Sequence, residues 1–192
     1  PYKIYGGQSF YQRKEVKDLL AYFRLTVNQN DEEAFKRIIN YPRRGIGDST
    51  IDKLQEIANQ YRVSLWTVLC NLDKVTPVFN AGTLAKLRKF GSLIEQFREY
   101  ITNENAYDAA TIIARSSGII EDLSNDDTPE GISRKENIQE LLNGIKEFSE
   151  TAYKEGRDDK LPAFLEGVAL LTDQDGEKES DINKVTLMTI HA

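Results

Sequence analysis

The chain has 192 residues, 40% of them hydrophobic and 29% charged, with a formal net charge of −6. That balance reads as a globular chain of one large or two small domains. No apolar run approaches the roughly 18 residues of a membrane span, and the N-terminus "PYKIYGGQSF" lacks the basic-then-apolar order of a signal peptide. Cys70 is the single cysteine, which rules out an internal disulfide. These features predict a cytoplasmic protein without membrane contact, with Cys70 a buried small hydrophobe.

Helical periodicity dominates the chain. "KEVKDLLAYFRLTVNQ" places Val16, Leu19, Leu20, Phe23 and Val27 on one face. "DEEAFKRIIN" opens with three acids, as a helix N-terminus prefers, and offers Phe35, Ile38 and Ile39 for burial. "STIDKLQEIANQY" offers Ile51, Leu54, Ile57 and Tyr61. "GTLAKLRKFGSLIEQFREYI" repeats Leu84, Leu87, Phe90, Ile94, Phe97 and Ile101 at helical spacing. "AYDAATIIARSSG" predicts a helix ending near Gly118. "SRKENIQELLNGIKEFSETAY" and "LPAFLEGVALL" are the last two predicted helices, and the acidic stretches 124–131 and 172–183 read as loops.

The ends differ from the middle. "YKIYGG" alternates and stops at a double glycine, and "KVTLMTIHA" is β-rich and apolar. Both read as short strands of a second structural unit, with the helical middle inserted into it and the chain an excised fragment. Insertion predicts that residues near Ile4 and near Leu187 share one small sheet, on the side away from the Gly45–Gly47 turn.

Charge is unevenly placed. From Lys36 to Arg62 six bases face three acids, whereas from Glu121 to Asp181 eighteen acids face seven bases. A polyanion is attracted to the first stretch and repelled by the second. Within the basic stretch lies "NYPRRGIGDSTIDKL". Gly45 and Gly47 supply a tight turn that can use backbone angles closed to other residues. Asp48, Ser49 or Thr50 can cap the helix that follows. Free N–H groups at a helix start favour an anion, and Arg43 and Arg44 add charge beside it. Helix, Gly-Ile-Gly turn and helix resemble a helix-hairpin-helix, with Ile46 pointing inward. The competing reading is a plain helix–helix turn, in which glycine is routine.

Catalytic chemistry has little to build on. His191 is the single histidine, so neither a histidine-based metal cluster nor a Ser-His-Asp triad is available. The pair Asp158–Asp159 falls in a polar loop, Trp66 in "SLWTVL" reads as core, and "RKENIQELL" reads as structural, through Arg134 or Asn137. No G-x-x-x-x-G-K-[ST] loop is present.

The segments "YKIYGGQSFYQRKEVKDLLAYFRLTVNQNDEEAFKRIINYPRRGIG", "RKENIQELL" and "VTLMTIHA" together resemble the UvrD/PcrA/Rep family of superfamily 1 DNA helicases. The resemblance implies a mainly α, bundle-like 2B subdomain at 29–182 with a helix-hairpin-helix-like turn. Residues 1–28 and 183–192 would flank it as pieces of an interrupted RecA-like 2A motor domain. It also implies that Arg43, Arg44, Gly45, Ile46, Gly47, Ser49, Thr50 and Lys53 hold duplex DNA. "TIHA" would begin motif V, with Thr189 and His191 facing the single strand. The parent enzyme would use ATP and magnesium for 3′-to-5′ unwinding. This chain would carry no catalytic or metal-binding residue, no cofactor and no phosphate loop of its own, and would govern the motor by its orientation. Its partners would be duplex and single-stranded DNA and the remaining helicase domains 1A, 1B and 2A. The alternative is a regulatory helical module that docks a protein partner through the acidic helices after Glu121, without touching DNA.

Overall fold

The computed structural model describes residues 3–4, 10–74, 78–176 and 186–187; for 3–4, 171–176 and 186–187 only the backbone is described. Nine α-helices run through the described residues: α1 (Lys14–Val27), α2 (Glu32–Ile38), α3 (Asp48–Tyr61), α4 (Leu65–Cys70), α5 (Ala81–Asn103), α6 (Ala106–Ser116), α7 (Ile119–Ser124), α8 (Pro129–Lys154) and α9 (Leu161–Gly176). The fold is mainly α, and no helix among the described residues is long and apolar enough to cross a membrane. Among the described residues, strand pairing joins Lys3–Ile4 to Thr186–Leu187, parallel, with Lys3 opposite Thr186 and Ile4 opposite Leu187.

Helix α1 is the centre of the packing and touches α2, α5, α6, α8 and α9. Its expected single apolar face is an underestimate. Val16, Leu19, Leu20, Ala21, Tyr22, Phe23 and Leu25 are all buried, while Val27 lies at the margin. A helix surrounded on all sides needs apolar residues all round. Its polar residues are therefore paired. Asp18 accepts from Arg37 Nε at 2.7 Å, and Thr26 Oγ1 donates to the Tyr22 carbonyl. Asn137 of α8 donates to Glu15 and accepts from Arg13. That network absorbs the "RKENIQELL" motif into structure, with Arg134 paired to Asp126 and Glu130 nearby.

The remaining core follows the expected periodicity. Leu84, Leu87, Phe90, Ile94 and Phe97 line one face of α5, and Ile138, Leu141, Leu142 and Ile145 one face of α8. Phe35 meets Phe90 edge-on, with ring centres 5.7 Å apart. Trp66 is core, as read from sequence. Cys70 is not: it ends α4 and is exposed. Tyr61 also points outward, at 62% exposure, because it closes the last turn of α3. The stretch 124–131 is only partly loop. Thr128 caps α8 by accepting from Gly131 N at 3.1 Å, and Pro129 takes the first helical position, where its missing N–H costs nothing. The six-residue α7 fills the interval after Gly118. Helix α9 extends through Gly176, past the expected start of the second acidic loop.

Candidate nucleic-acid interface

The turn between α2 and α3 is built by three groups that the pattern of apolar residues does not reveal. Asn40 lies just past α2 and holds the turn from inside: its Oδ1 accepts from the backbone N–H of both Arg44 and Ile46, each at 3.0 Å. Ile46 is buried to 1% exposure and anchors the turn in the core, as expected. Arg44 holds the turn from the opposite side. Its Nη1 donates to the carbonyls of Ile38, Tyr41 and Pro42 at 3.0, 2.8 and 3.2 Å. Its Nη2 donates to the Ser117 carbonyl at 3.0 Å and to the Tyr22 hydroxyl at 2.5 Å. The guanidinium also lies 5.6–5.7 Å from the centres of the Phe90 and Tyr22 rings. Tyr22 in turn donates to the Tyr41 carbonyl. Burial pushes its hydroxyl up to about 12, against the opposing pull of the Arg44 charge.

The two arginines of the sequence motif thus have different environments. Arg43 is exposed, and no ion pair or hydrogen bond holds it among the described residues. Arg44 is half-buried and spent on carbonyls, so it is not the free surface charge that sequence reasoning assumed. A guanidinium does this because it carries five donors in a fixed plane.

The two glycines also differ. Gly45 has φ +69°, the left-handed region, and its Cα lies under the ammonium of Lys86: a Cβ there would meet Nζ at 2.8 Å. Glycine is required at that position by conformation. Gly47 has φ −82° and ψ 168°, ordinary extended backbone, and a Cβ there would meet nothing within 4 Å. Of the two glycines read from the sequence as free to use angles closed to other residues, Gly45 does so and Gly47 does not.

Gly47 is the N-cap of α3, and no side chain closes that helix. The expected capping by Asp48, Ser49 or Thr50 does not occur, because all three already lie within or at the first turn. Five other helices are capped, by Asp31, Ser64, Asn80, Asn105 and Thr128, each accepting from a first-turn N–H, whereas α1 and α7, like α3, start without a side-chain cap. At α3, Thr50 N donates to the Gly47 carbonyl, and among the described residues nothing accepts from the N–H of Asp48 or Ser49. The result is a bare, outward-facing helix start, with Ser49 and Lys53 exposed and Thr50 half-exposed beside it. Two unpaired N–H groups at the positive end of a 14-residue helix make an anion-binding geometry. Thr189 and His191, expected to face single-stranded DNA, lie outside the described residues.

Sequence reasoning missed Asn40, Lys86 and Lys89. Lys86, from α5, donates to the Gly45 carbonyl at 3.0 Å. Lys86 and Lys89 share a side of α5 three residues apart, which is the one signal that could have drawn attention to them.

The UvrD-like helicase C-terminal domain model matches residues 1–192. Among curated proteins the chain is 32% identical to the ATP-dependent DNA helicase PcrA of Leuconostoc citreum over all of its own length and 26% of that protein. It is 33% identical to DNA helicase II of Escherichia coli and 35% identical to the PcrA helicase of Staphylococcus aureus, again over the whole chain and 26% of each relative. The chain thus spans about a quarter of the length of the curated relatives it matches. With a family model matched from its first residue to its last, this chain belongs to the UvrD-like helicase C-terminal domain family.

Proposed function

We propose that the chain is the duplex-holding part of an ATP-dependent DNA helicase, and that it holds one DNA backbone at the turn Gly45-Ile46-Gly47 and the start of α3. The observation that carries this reading is Gly47. Neither its backbone angles nor its neighbours require glycine, and the missing side chain leaves the two free N–H groups of the helix start open to close approach from outside the chain. A phosphate fits that place. It would accept from the N–H groups of Asp48 and Ser49, with the Ser49 and Thr50 hydroxyls beside it and the Arg43 and Lys53 charges in reach. None of these groups reads a base edge, so the grip is blind to sequence.

Arg44 and Ile46 serve the same function indirectly, by fixing the turn from within. In this reading residues 29–182 form the 2B-type unit, and residues 1–28 and 183–192 belong to the RecA-like 2A unit. The pairing of Lys3–Ile4 with Thr186–Leu187 supports a common host for the two flanks, because an insertion leaves and re-enters its host at neighbouring points. ATP, magnesium and the phosphate loop would reside in the rest of the parent helicase, which would pull single strand 3′-to-5′ while this unit holds the duplex ahead.

The test is binding of a labelled blunt duplex, a single strand and a fork across a salt series. Two to four neutralised phosphates predict a slope of about −2 to −4 in log affinity against log salt, at about −0.9 per phosphate. Gly47→Val should stay folded, at a cost of about 1 kcal/mol for a poorer N-cap, and lose duplex affinity. Undiminished duplex binding by that variant, or strong preference for one sequence, would overturn the reading.

A further inference from the structure

The turn opens onto a groove of about 600 Å³, lined by Arg43, Arg44, Lys86, Lys89, Ser92, Leu93, Gln96, Ser116 and Ser117. Four of these nine residues are basic and none is acidic, in a chain whose net charge is −6. Arg44 is occupied by the carbonyls described above. Arg43, Lys86 and Lys89 are exposed and form no ion pair among the described residues. Elsewhere on α5 the bases are compensated: Arg88 pairs with Asp73, and Arg98 with Glu95 at 3.0 Å. Unbalanced charge on one side of a helix, facing a concavity, concentrates a positive field there.

From this we infer that the groove is a second phosphate track, continuous with the turn, and that it takes the sugar–phosphate backbone of the same duplex beyond the hairpin. The inference rests on the duplex-holding reading of the turn and extends it to α5. Lys86 joins the two parts. One of its three ammonium protons is fixed on the Gly45 carbonyl, which leaves two to donate to a phosphate at the mouth of the groove. Lys89 follows one turn on, and Gln96 lies two turns beyond it. From Lys86 to Gln96 the helix rises roughly 15 Å at 1.5 Å per residue. That is the length of about four base-pair steps at roughly 3.4 Å each, measured along the duplex axis. Leu93 sits between the polar groups, where the apolar face of a deoxyribose can rest. Arg43 lines the groove and lies four residues before Gly47, the N-cap of α3, so it borders both parts.

The experiment compares the salt dependence of duplex binding for the full chain and for Lys89→Gln, Lys86→Gln/Lys89→Gln and Gly47→Val, with folding checked by circular dichroism and thermal melting. Lys89 is exposed and bonds to nothing in the turn, so its variant isolates the groove. The slope should become shallower by about 0.9 for Lys89→Gln and by about 1.8 for the double variant. If Gly47→Val loses affinity while both lysine variants keep the parent slope, the groove inference fails and the hairpin reading stands. If the lysine variants lose affinity at an unchanged slope, Lys86 acts only by supporting the turn, and the inference likewise fails. If Gly47→Val binds duplex like the parent, the hairpin reading fails and the track that depends on it goes too. A slope change for single strand alone, without one for duplex, also overturns it.

Discussion

The Nη2 of Arg44 donates to the hydroxyl of Tyr22 at 2.5 Å, across 22 residues of sequence. This contact ties the turn that precedes α3 to the central helix of the fold. Through the same guanidinium the turn is tied to Ser117, at the end of α6. The turn is therefore fastened to two distant parts of the chain before any ligand arrives. Preorganisation of this kind lowers the ordering cost of binding.

Arg44→Ala should destabilise the fold, by about 3 kcal/mol, because it strands several partly buried carbonyls at once. Arg44→Lys should recover little of this, since one ammonium cannot serve acceptors spread across a plane. Urea denaturation measures both. Arg43→Ala, at an exposed and unpaired position, should leave the midpoint unchanged and weaken duplex binding. Equal effects of the two alanine variants on stability would contradict the division of labour between these neighbours.

The two glycines should separate in the same way. Gly45→Ala places a side chain at φ +69° under the Lys86 ammonium and should cost about 1 kcal/mol or more of stability. Gly47→Ala meets open space in extended backbone, so it should lose only the roughly 0.5–1 kcal/mol of a poorer N-cap while its duplex affinity falls. A loss of several kcal/mol by Gly47→Ala would show that the turn differs from the one described.

Asp48 is exposed in the first turn of α3. A carboxylate there favours the helix but repels a phosphate at the same N–H groups. Asp48→Asn should therefore lower stability by about 0.3–1 kcal/mol and tighten duplex binding by roughly two- to fivefold. Weaker duplex binding by Asp48→Asn would argue that the helix start does not receive the phosphate.

Alkaline titration should single out Tyr22. Its hydroxyl titrates near 12 in the folded chain, whereas an unfolded tyrosine titrates near 10. Between those values the unfolded state loses the proton first and so binds fewer protons than the native state. Stability must then fall as pH rises through the window, and is fully present below it. The contribution of this fully buried residue is on the order of 2–3 kcal/mol. Tyr41 is shifted upward too, chiefly by burial, and acts in the same direction. Stability of the Tyr22→Phe variant, followed by urea midpoints from pH 9 to 12, should decline less steeply than that of the parent.

The sequence by itself determined the seven longer described helices and most of their buried faces, but not the six-residue α4 and α7. Leu84, Leu87, Phe90, Ile94 and Phe97 could be placed correctly because helical spacing is a local property, fixed by 3.6 residues per turn. It also located the turn and the inward orientation of Ile46, since glycine and an isolated apolar residue signal these within a few positions. Tertiary structure decided which arginine is free. Arg43 and Arg44 look alike in a string of letters, and only the arrival of Tyr22, Phe90 and Ser117 from distant segments removes one of them from solvent. Likewise, "GIG" offers two glycines, but the backbone angles that assign conformation to Gly45 and open approach to Gly47 are set by Asn40, Arg44 and Lys86 together. The groove beside the turn was hidden for the same reason. Lys86 and Lys89 become neighbours of Arg43 only when α5 packs against the α2–α3 turn, and a cluster of like charge gathered from segments some 40 residues apart leaves no periodic trace along the chain.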